Sequence, residues 1–375
     1  MEVERDIAGI ALPFAAGVAT AIFTRGFSCI SAHASAVPAC LTMLSSAIFL
    51  MHPCHKTFPS GILRLAIAFC LASCGILCGI SSEVLSIGRM HHITDPFSTL
   101  GYAMGERIES LGYASSDTNA IIKALIIGDR SDIPGNITGA FRKSGASHIL
   151  ALSGLHLGII YGILKKALSI FGNSSILRMI RPCITIAACG LYVLATGAGA
   201  SIVRAFLFIV IGEAARASGR IHKTGSVLLA SLLIHLIIAP QSIRDAGFHL
   251  SYAAMAGIAF IFPWLSGFWP KRSEHESESS ARKYPEPIRW IWNTAALSIS
   301  CQITTGPIAY IYFGTFPVHF LLTNLIAIPL AGLIIPSALA ATFLSSLGIC
   351  PEILLRASEM LVTALSKALE VIASM

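Results

Sequence analysis

Apolar residues run in blocks along most of the chain, and proline, glycine or charge closes each block. The blocks predict about eleven helices, near 7–24, 36–51, 62–82, 146–164, 182–196, 202–215, 225–239, 246–266, 291–313, 318–342 and 353–373. At about 1.5 Å per residue, roughly 20 apolar residues cross the ~30 Å hydrocarbon of a bilayer. The expected fold class is therefore an all-α polytopic membrane protein of about eleven transmembrane helices.

One stretch departs from this pattern. Between 83 and 145, Phe97, Leu100, Met104, Ile108 and Leu111 recur at helical spacing, with Glu106, Arg107 and Glu109 off that stripe. A second amphipathic run, DTNAIIKALIIGD, begins at Asp117, a good N-cap residue. Both are expected to lie on the outer membrane surface or at the mouth of a bundle. The chain divides on this reading into N-terminal spans (1–82), an outer amphipathic segment (83–145) and a membrane domain (146–375). No repeat of roughly 20–50 residues and no inverted half is visible.

Composition supports the membrane class. Charged residues make up 12% of the chain and hydrophobic ones 55%, where soluble domains carry about 25% charged residues. So few charges exclude a soluble fold of this length. The start, MEVERDIAGIALPFAAGVATAIF, is acidic where a secretory signal is basic, so it reads as a retained span. The 165–181 connection carries Lys165, Lys166, Arg178 and Arg181, and the 212–224 connection carries Arg216, Arg220 and Lys223 against Glu213. The positive-inside rule places both in the cytoplasm. Counting from them puts the N-terminus in the cytoplasm, 83–145 in the periplasm and the C-terminus in the periplasm, across the inner membrane.

Candidate chemistry concentrates between Lys143 and Lys165, in KSGASHILALSGLHLGIIYGILK. On a continuous helix Ser153 and His156 share one face, while Gly154, Gly158 and Gly162 form a double GxxxG on the other. The glycine face fits close helix packing. The Ser153–His156 face fits either interhelical hydrogen bonds or a polar path through the bundle. A hydrolytic pair is a poor fit, because no Gly-x-Ser-x-Gly elbow is present. Arg204 lies just inside an apolar run, placed to snorkel to water, and Asp245 stands where it can cap the next helix. Arg130, Arg142 and Lys143 are outer basic residues that could draw a polyanion to a pore mouth. HPCHK (His52, Cys54, His55) and HHITD (His91, His92, Asp95) each lack a second ligand group at defined spacing, so no metal site is expected. Cys70, Cys74 and Cys78, four apart, read as small residues packing on one helix face.

The stretch DRSDIPGNITGAFRKSGASHILALSGLHLGIIYGIL resembles the signature of the ComEC competence proteins, inner-membrane DNA channels of natural transformation. TGAGASIVRAFLF (196–208), RDAGFHLSYAAMAGIAF (244–260) and TNLIAIPLAGLIIP (323–336) resemble further family segments in the same order, with His249 where glutamine is usual. The resemblance implies a channel passing single-stranded DNA into the cytoplasm, with Ser153, His156, Arg204, Asp245 and Asn324 along the path. In this light Arg204 becomes a fixed charge for phosphate.

Family members commonly carry an outer OB-like domain and a metallo-β-lactamase-like nuclease domain. Here 83–96 is too short for the first, and the sequence has no His-x-His-x-Asp-His motif of the second. The expectation is the membrane channel alone, a protein that makes and breaks no bond and needs no cofactor. Its implied partners are the lipid bilayer, single-stranded DNA, a periplasmic DNA receptor, a separate nuclease, and a cytoplasmic translocase or single-strand-binding protein. Two other readings of the same residues are a small-solute transporter and a non-transporting remnant of a larger DNA-uptake protein.

Overall fold

The computed structural model describes residues 2–24, 39–40, 42, 60–85, 89–172, 174–217, 223–268, 286–314, 316–349 and 351–375. Among these residues the fold is all-α, with no strand. In chain order the helices are α1 (Glu2–Thr24), α2 (Ser60–Leu85), α3 (Arg89–Glu109), α4 (Ser116–Ile126), α5 (Gly135–Lys143), α6 (Ser147–Leu150) and α7 (Gly154–Ser169). They continue with α8 (Ser175–Ala195), α9 (Ala200–Ala217), α10 (Thr224–Ile238), α11 (Ala246–Ser266), α12 (Glu286–Phe313), α13 (Phe320–Ser346) and α14 (Glu352–Ala373). Helices form where nine of the eleven apolar blocks predict them. The 36–51 block lies largely outside the described residues, and the 146–164 block is interrupted.

Length and apolarity sufficient to cross a membrane belong to three of the described helical stretches: Asp6–Phe23, Ala246–Ser266 and Phe320–Ser346. Arg64–Ile80, Met179–Ala195 and Thr224–Ile238 are apolar but shorter. Helices of this length and apolarity make the chain a membrane protein, with fewer clear spans among the described residues than the sequence pattern predicts. The last block departs most: α14 carries Glu352, Arg356, Glu359, Lys367 and Glu370, too many charges for a span that faces lipid all round.

The chain folds as two compact units, one from residues 1–93 and 207–252, the other from 94–206 and 253–375. In the first unit α1 and α2 approach backbone to backbone. A Cβ on Gly17 would stand 1.9 Å from the Ala72 carbonyl oxygen, and one on Gly75 would stand 2.1 Å from that of Phe14. Gly79 meets Ala21 Cβ at 2.9 Å in the same way. The small residues that allow this are Gly75 and Gly79, a GxxxG pair on α2. By contrast a Cβ on Gly158 or Gly162 of α7 would meet nothing within 4 Å. Close packing uses the α2 pair, and the expected packing role of Gly158 and Gly162 has no partner among the described residues.

The second unit is built around α13. Ala327, Ala331, Ile334, Ile335 and Ala338 form one buried face. Val362, Leu365 and Leu369 of α14, Ile121 and Leu125 of α4, and Ile137 and Phe141 of α5 close over it. The run from Asp117 is therefore enclosed by this unit rather than laid along its outside. Every residue of α4 from Ala120 to Ile126 is buried, so it behaves as a core helix that is apolar nearly all round.

Its one charge, Lys123, is 7% exposed. Its Nζ lies 2.6 Å from Asp132 Oδ2, 2.5 Å from Glu109 Oε1 and 3.5 Å from Asp129 Oδ2. Hydrogen bonds to Asp132 and Glu109 hold the ammonium pKa above its usual range. The Ser131 N–H, with the Ser131 hydroxyl, lowers that of the Asp129 carboxyl. Both shifts favour the charged forms. The Asp129 contribution is present above the ordinary carboxylate range and is lost as pH falls through it.

A leucine at Gly75 should drive α1 and α2 apart, an overpacking change worth about 1–3 kcal/mol or more. We expect Gly75→Leu to lower the detergent-solubilised unfolding midpoint by several degrees or to prevent accumulation, while Gly158→Ala leaves it unchanged. Equal effects of the two would show that the α2 contact is not where the helices are held.

Candidate functional site

The predicted 146–164 helix is broken near its middle. The chain turns at Gly145 (φ +84°), makes the single turn of α6, and is extended at Ala151 (ψ 130°) and Ser153 (φ −128°, ψ 173°) before α7 starts at Gly154. A break in an apolar bundle frees backbone N–H and C=O groups that lipid cannot satisfy. The local sequence supplies partners. The Ser153 N–H donates to His156 Nδ1 at 3.2 Å, and the Ser153 hydroxyl lies 3.0 Å from the same nitrogen. The Ser153 carbonyl accepts the Leu157 N–H at 3.5 Å and so begins the helix.

This is a capping box with histidine in the place usually taken by glutamate or glutamine. Because Nδ1 accepts, the proton of the neutral ring sits on Nε2. His156 is fully buried, its ring beside the Ile149 backbone and in the field of His148. Ser153 and His156 do meet, but through an N-cap rather than as neighbours on one helix face.

The surroundings fix the break in place. A Cβ on Gly128 (φ +83°) would lie 2.6 Å from Leu152 Cδ1, so the side chain of the broken segment sits over a bare backbone. Gly145 is held as closely, with Pro317 Cβ at 2.8 Å from the corresponding position. Thr323 at the start of α13 donates to the Ser144 carbonyl at 2.6 Å. Its neighbour Asn324 therefore stands beside the approach to the break, with Oδ1 buried and without a hydrogen-bond partner among the described residues.

Arg204 reaches the break from α9. A Cβ on Gly154 would stand 3.2 Å from an Arg204 guanidinium nitrogen and 3.4 Å from Ala205 Cβ, so a glycine lets the cation lie against the first residue of α7. Arg204 is 6% exposed, buried in the protein rather than snorkelling to water. Cys301 on α12 lies within its field. That part of α12, SISCQITT, is a polar run that the apolar-block reading passed over, although it is plain in the sequence. Three of its hydroxyls return to their own helix, Ser300 to the Ala296 carbonyl at 2.6 Å and Thr304 and Thr305 to that of Cys301 at 2.9 and 2.8 Å, while the buried Ser298 hydroxyl has no partner among the described residues.

The break thus unites Ser153, Gly154, His156 and Arg204, with Asn324 beside its approach. Asp245 belongs to the other unit. It is exposed and occupies the N-cap position of α11, where its carbonyl accepts the Phe248 N–H at 3.0 Å. Arg130, Arg142 and Lys143 are exposed, the last two in the final turn of α5, where cations complement the helix dipole. His52, Cys54 and His55 fall outside the described residues. His91, His92 and Asp95 fall on α3 among residues whose side chains are not described.

The competence protein family profile matches residues 125–375, two thirds of the chain and all of the break. The chain belongs to the competence protein family. The ComE operon protein 3 of Bacillus subtilis (strain 168) is 25% identical over 237 residues, 62% of this chain and 27% of that protein. The uncharacterized protein YcaI of Escherichia coli (strain K12) is 25% identical over 229 residues, 60% of this chain and 29% of its own length. The match therefore spans less than a third of either relative. No solved structure matches.

The capping box gives a direct test. His156→Leu leaves the half-buried Ser153 N–H without its partner, a loss of about 1 kcal/mol. His156→Gln can restore the acceptor. We expect the leucine variant to lower the unfolding midpoint of the purified protein and the glutamine variant to recover most of the difference. Equal losses in the two would show that the imidazole does not cap α7.

Proposed function

We propose that this competence-family chain passes single-stranded DNA across the inner membrane into the cytoplasm. The observation that carries the reading is the helix break with a buried arginine at its start. Non-helical backbone at membrane depth persists where it is enclosed by protein or lines a water-filled cavity. Discontinuous helices in transporters present the positive end of a half-helix to anionic substrate. Here the N-terminus of α7 and the Arg204 guanidinium lie together, both favouring an anion. A phosphate backbone supplies one at every nucleotide, so this recognition is independent of base sequence.

In this account Arg130, Arg142 and Lys143 raise the local concentration of a polyanion at the mouth. Asn324 offers a side-chain amide beside the path, and Ser153 with His156 keeps the path's backbone satisfied. Asp245 is assigned to the path by resemblance alone. The chain itself does no covalent chemistry. A separate nuclease removes one strand, a periplasmic receptor delivers the DNA, and a cytoplasmic translocase or single-strand-binding protein draws it in.

The test is a deletion strain complemented with variants and scored for labelled DNA reaching the cytoplasm. We expect the deletion to abolish entry and Arg204→Gln to lower it by about tenfold or more, the scale of one lost charge-assisted contact. Arg204→Lys should fall between. Undiminished entry with Arg204→Gln at normal protein level would overturn the reading. Saturable uptake of a small solute by the same strain would favour the transporter alternative.

A further inference from the structure

α14 has three faces. Taken at 100° per residue, Glu352, Arg356, Thr363, Ser366, Lys367 and Glu370 fall on one arc that runs the full length of the helix. Val362, Leu365, Leu369 and Ile372 form the buried face against the α13 core. The third strip is apolar but uncovered, with Ile353 85%, Met360 73% and Val371 57% exposed. In a membrane protein it is a lipid-facing edge.

The polar arc then needs an aqueous environment of its own. α13 is apolar enough to span a bilayer, and α14 packs along it after the short 347–351 connection, so the two are antiparallel neighbours. At 1.5 Å per residue, Thr363 and Ser366 stand about 16 and 21 Å beyond Glu352, inside a core of roughly 30 Å, while Lys367 and Glu370, at about 22 and 27 Å, approach its far face. Polar side chains at such depth face the bundle interior or a water-filled cavity rather than lipid. The arc mixes signs: Glu352 and Arg356 pair loosely at 3.9 Å, while Glu359 is drawn aside to the Ser115 N–H at 3.2 Å. A path that must pass a polyanion without holding it has this character, since alternating charge attracts weakly at each step.

We propose that the polar arc of α14 lines the water-filled route of the strand, with Thr363, Ser366 and Lys367 facing the passing backbone. This rests on the reading of the chain as a single-stranded DNA channel.

The experiment places single cysteines at Thr363, Ser366, Met360 and Val371 in the full chain in membrane vesicles. Each is exposed to a cationic, membrane-impermeant thiol reagent and read at the introduced site by mass spectrometry. We expect Thr363→Cys and Ser366→Cys to react about tenfold faster than Met360→Cys and Val371→Cys, because the thiolate forms only where water reaches. A single-stranded oligonucleotide should slow the first two and leave the others unchanged. No reaction at 363 and 366, or equal reaction at all four positions, would overturn the inference. The expected pattern without protection by the oligonucleotide would leave the water-filled face standing and sink the single-stranded DNA reading instead.

Discussion

A backbone N–H withdrawn from water needs a partner, and at the helix break that partner is an imidazole. Where the chain opens between α6 and α7, the Ser153 N–H donates to His156 Nδ1, which allows an interrupted helix to persist in an apolar bundle. Other features of the site follow from keeping that opening in register. Leu152 rests on the bare backbone of Gly128, Pro317 lies against Gly145, and the start of α13 holds the Ser144 carbonyl through Thr323. Gly154 leaves room for Arg204. The glycines at 128, 145 and 154 therefore matter for what fits against them.

Two kinds of charge are handled differently in the second unit. Lys123 is buried, and Glu109, Asp129 and Asp132 surround it, which anchors the core helix α4 to the loop before the break. The charges on α14 remain uncovered along a helix whose other faces are core and apolar surface. The first arrangement fixes structure. The second, on our proposal, leaves a wet surface at membrane depth.

Much of the helix layout was legible in the sequence because apolar blocks and their boundaries report burial in lipid or protein directly. The 246–266 block matches α11 residue for residue, and 353–373 lies within one residue of α14 at its start. The break was not legible by the same means, since a helical wheel assumes continuity and Ser153 and His156 share a face on an unbroken helix. The signal was present as a serine with a possible acceptor three residues on, but histidine is not the expected residue there. The GxxxG spacing occurs on both α2 and α7, and spacing alone does not say which glycines have a neighbour: Gly75, Gly79 and Gly154 do among the described residues, Gly158 and Gly162 do not. The burial of α4 was not legible because the partners of its one charge, Glu109, Asp129 and Asp132, come from segments whose approach the sequence does not reveal.

On our proposal the helix break beside Arg204 lies on the passage of a nucleic acid strand. Reconstitution of the full chain in liposomes, with a fluorescent single-stranded oligonucleotide outside and a nuclease trapped inside, tests it most directly. The account predicts protein-dependent cleavage of the oligonucleotide, stronger when the membrane potential draws anions inward, and greatly reduced with Arg204→Gln. Oligonucleotide that stays intact outside liposomes containing folded protein, at any potential, would contradict it.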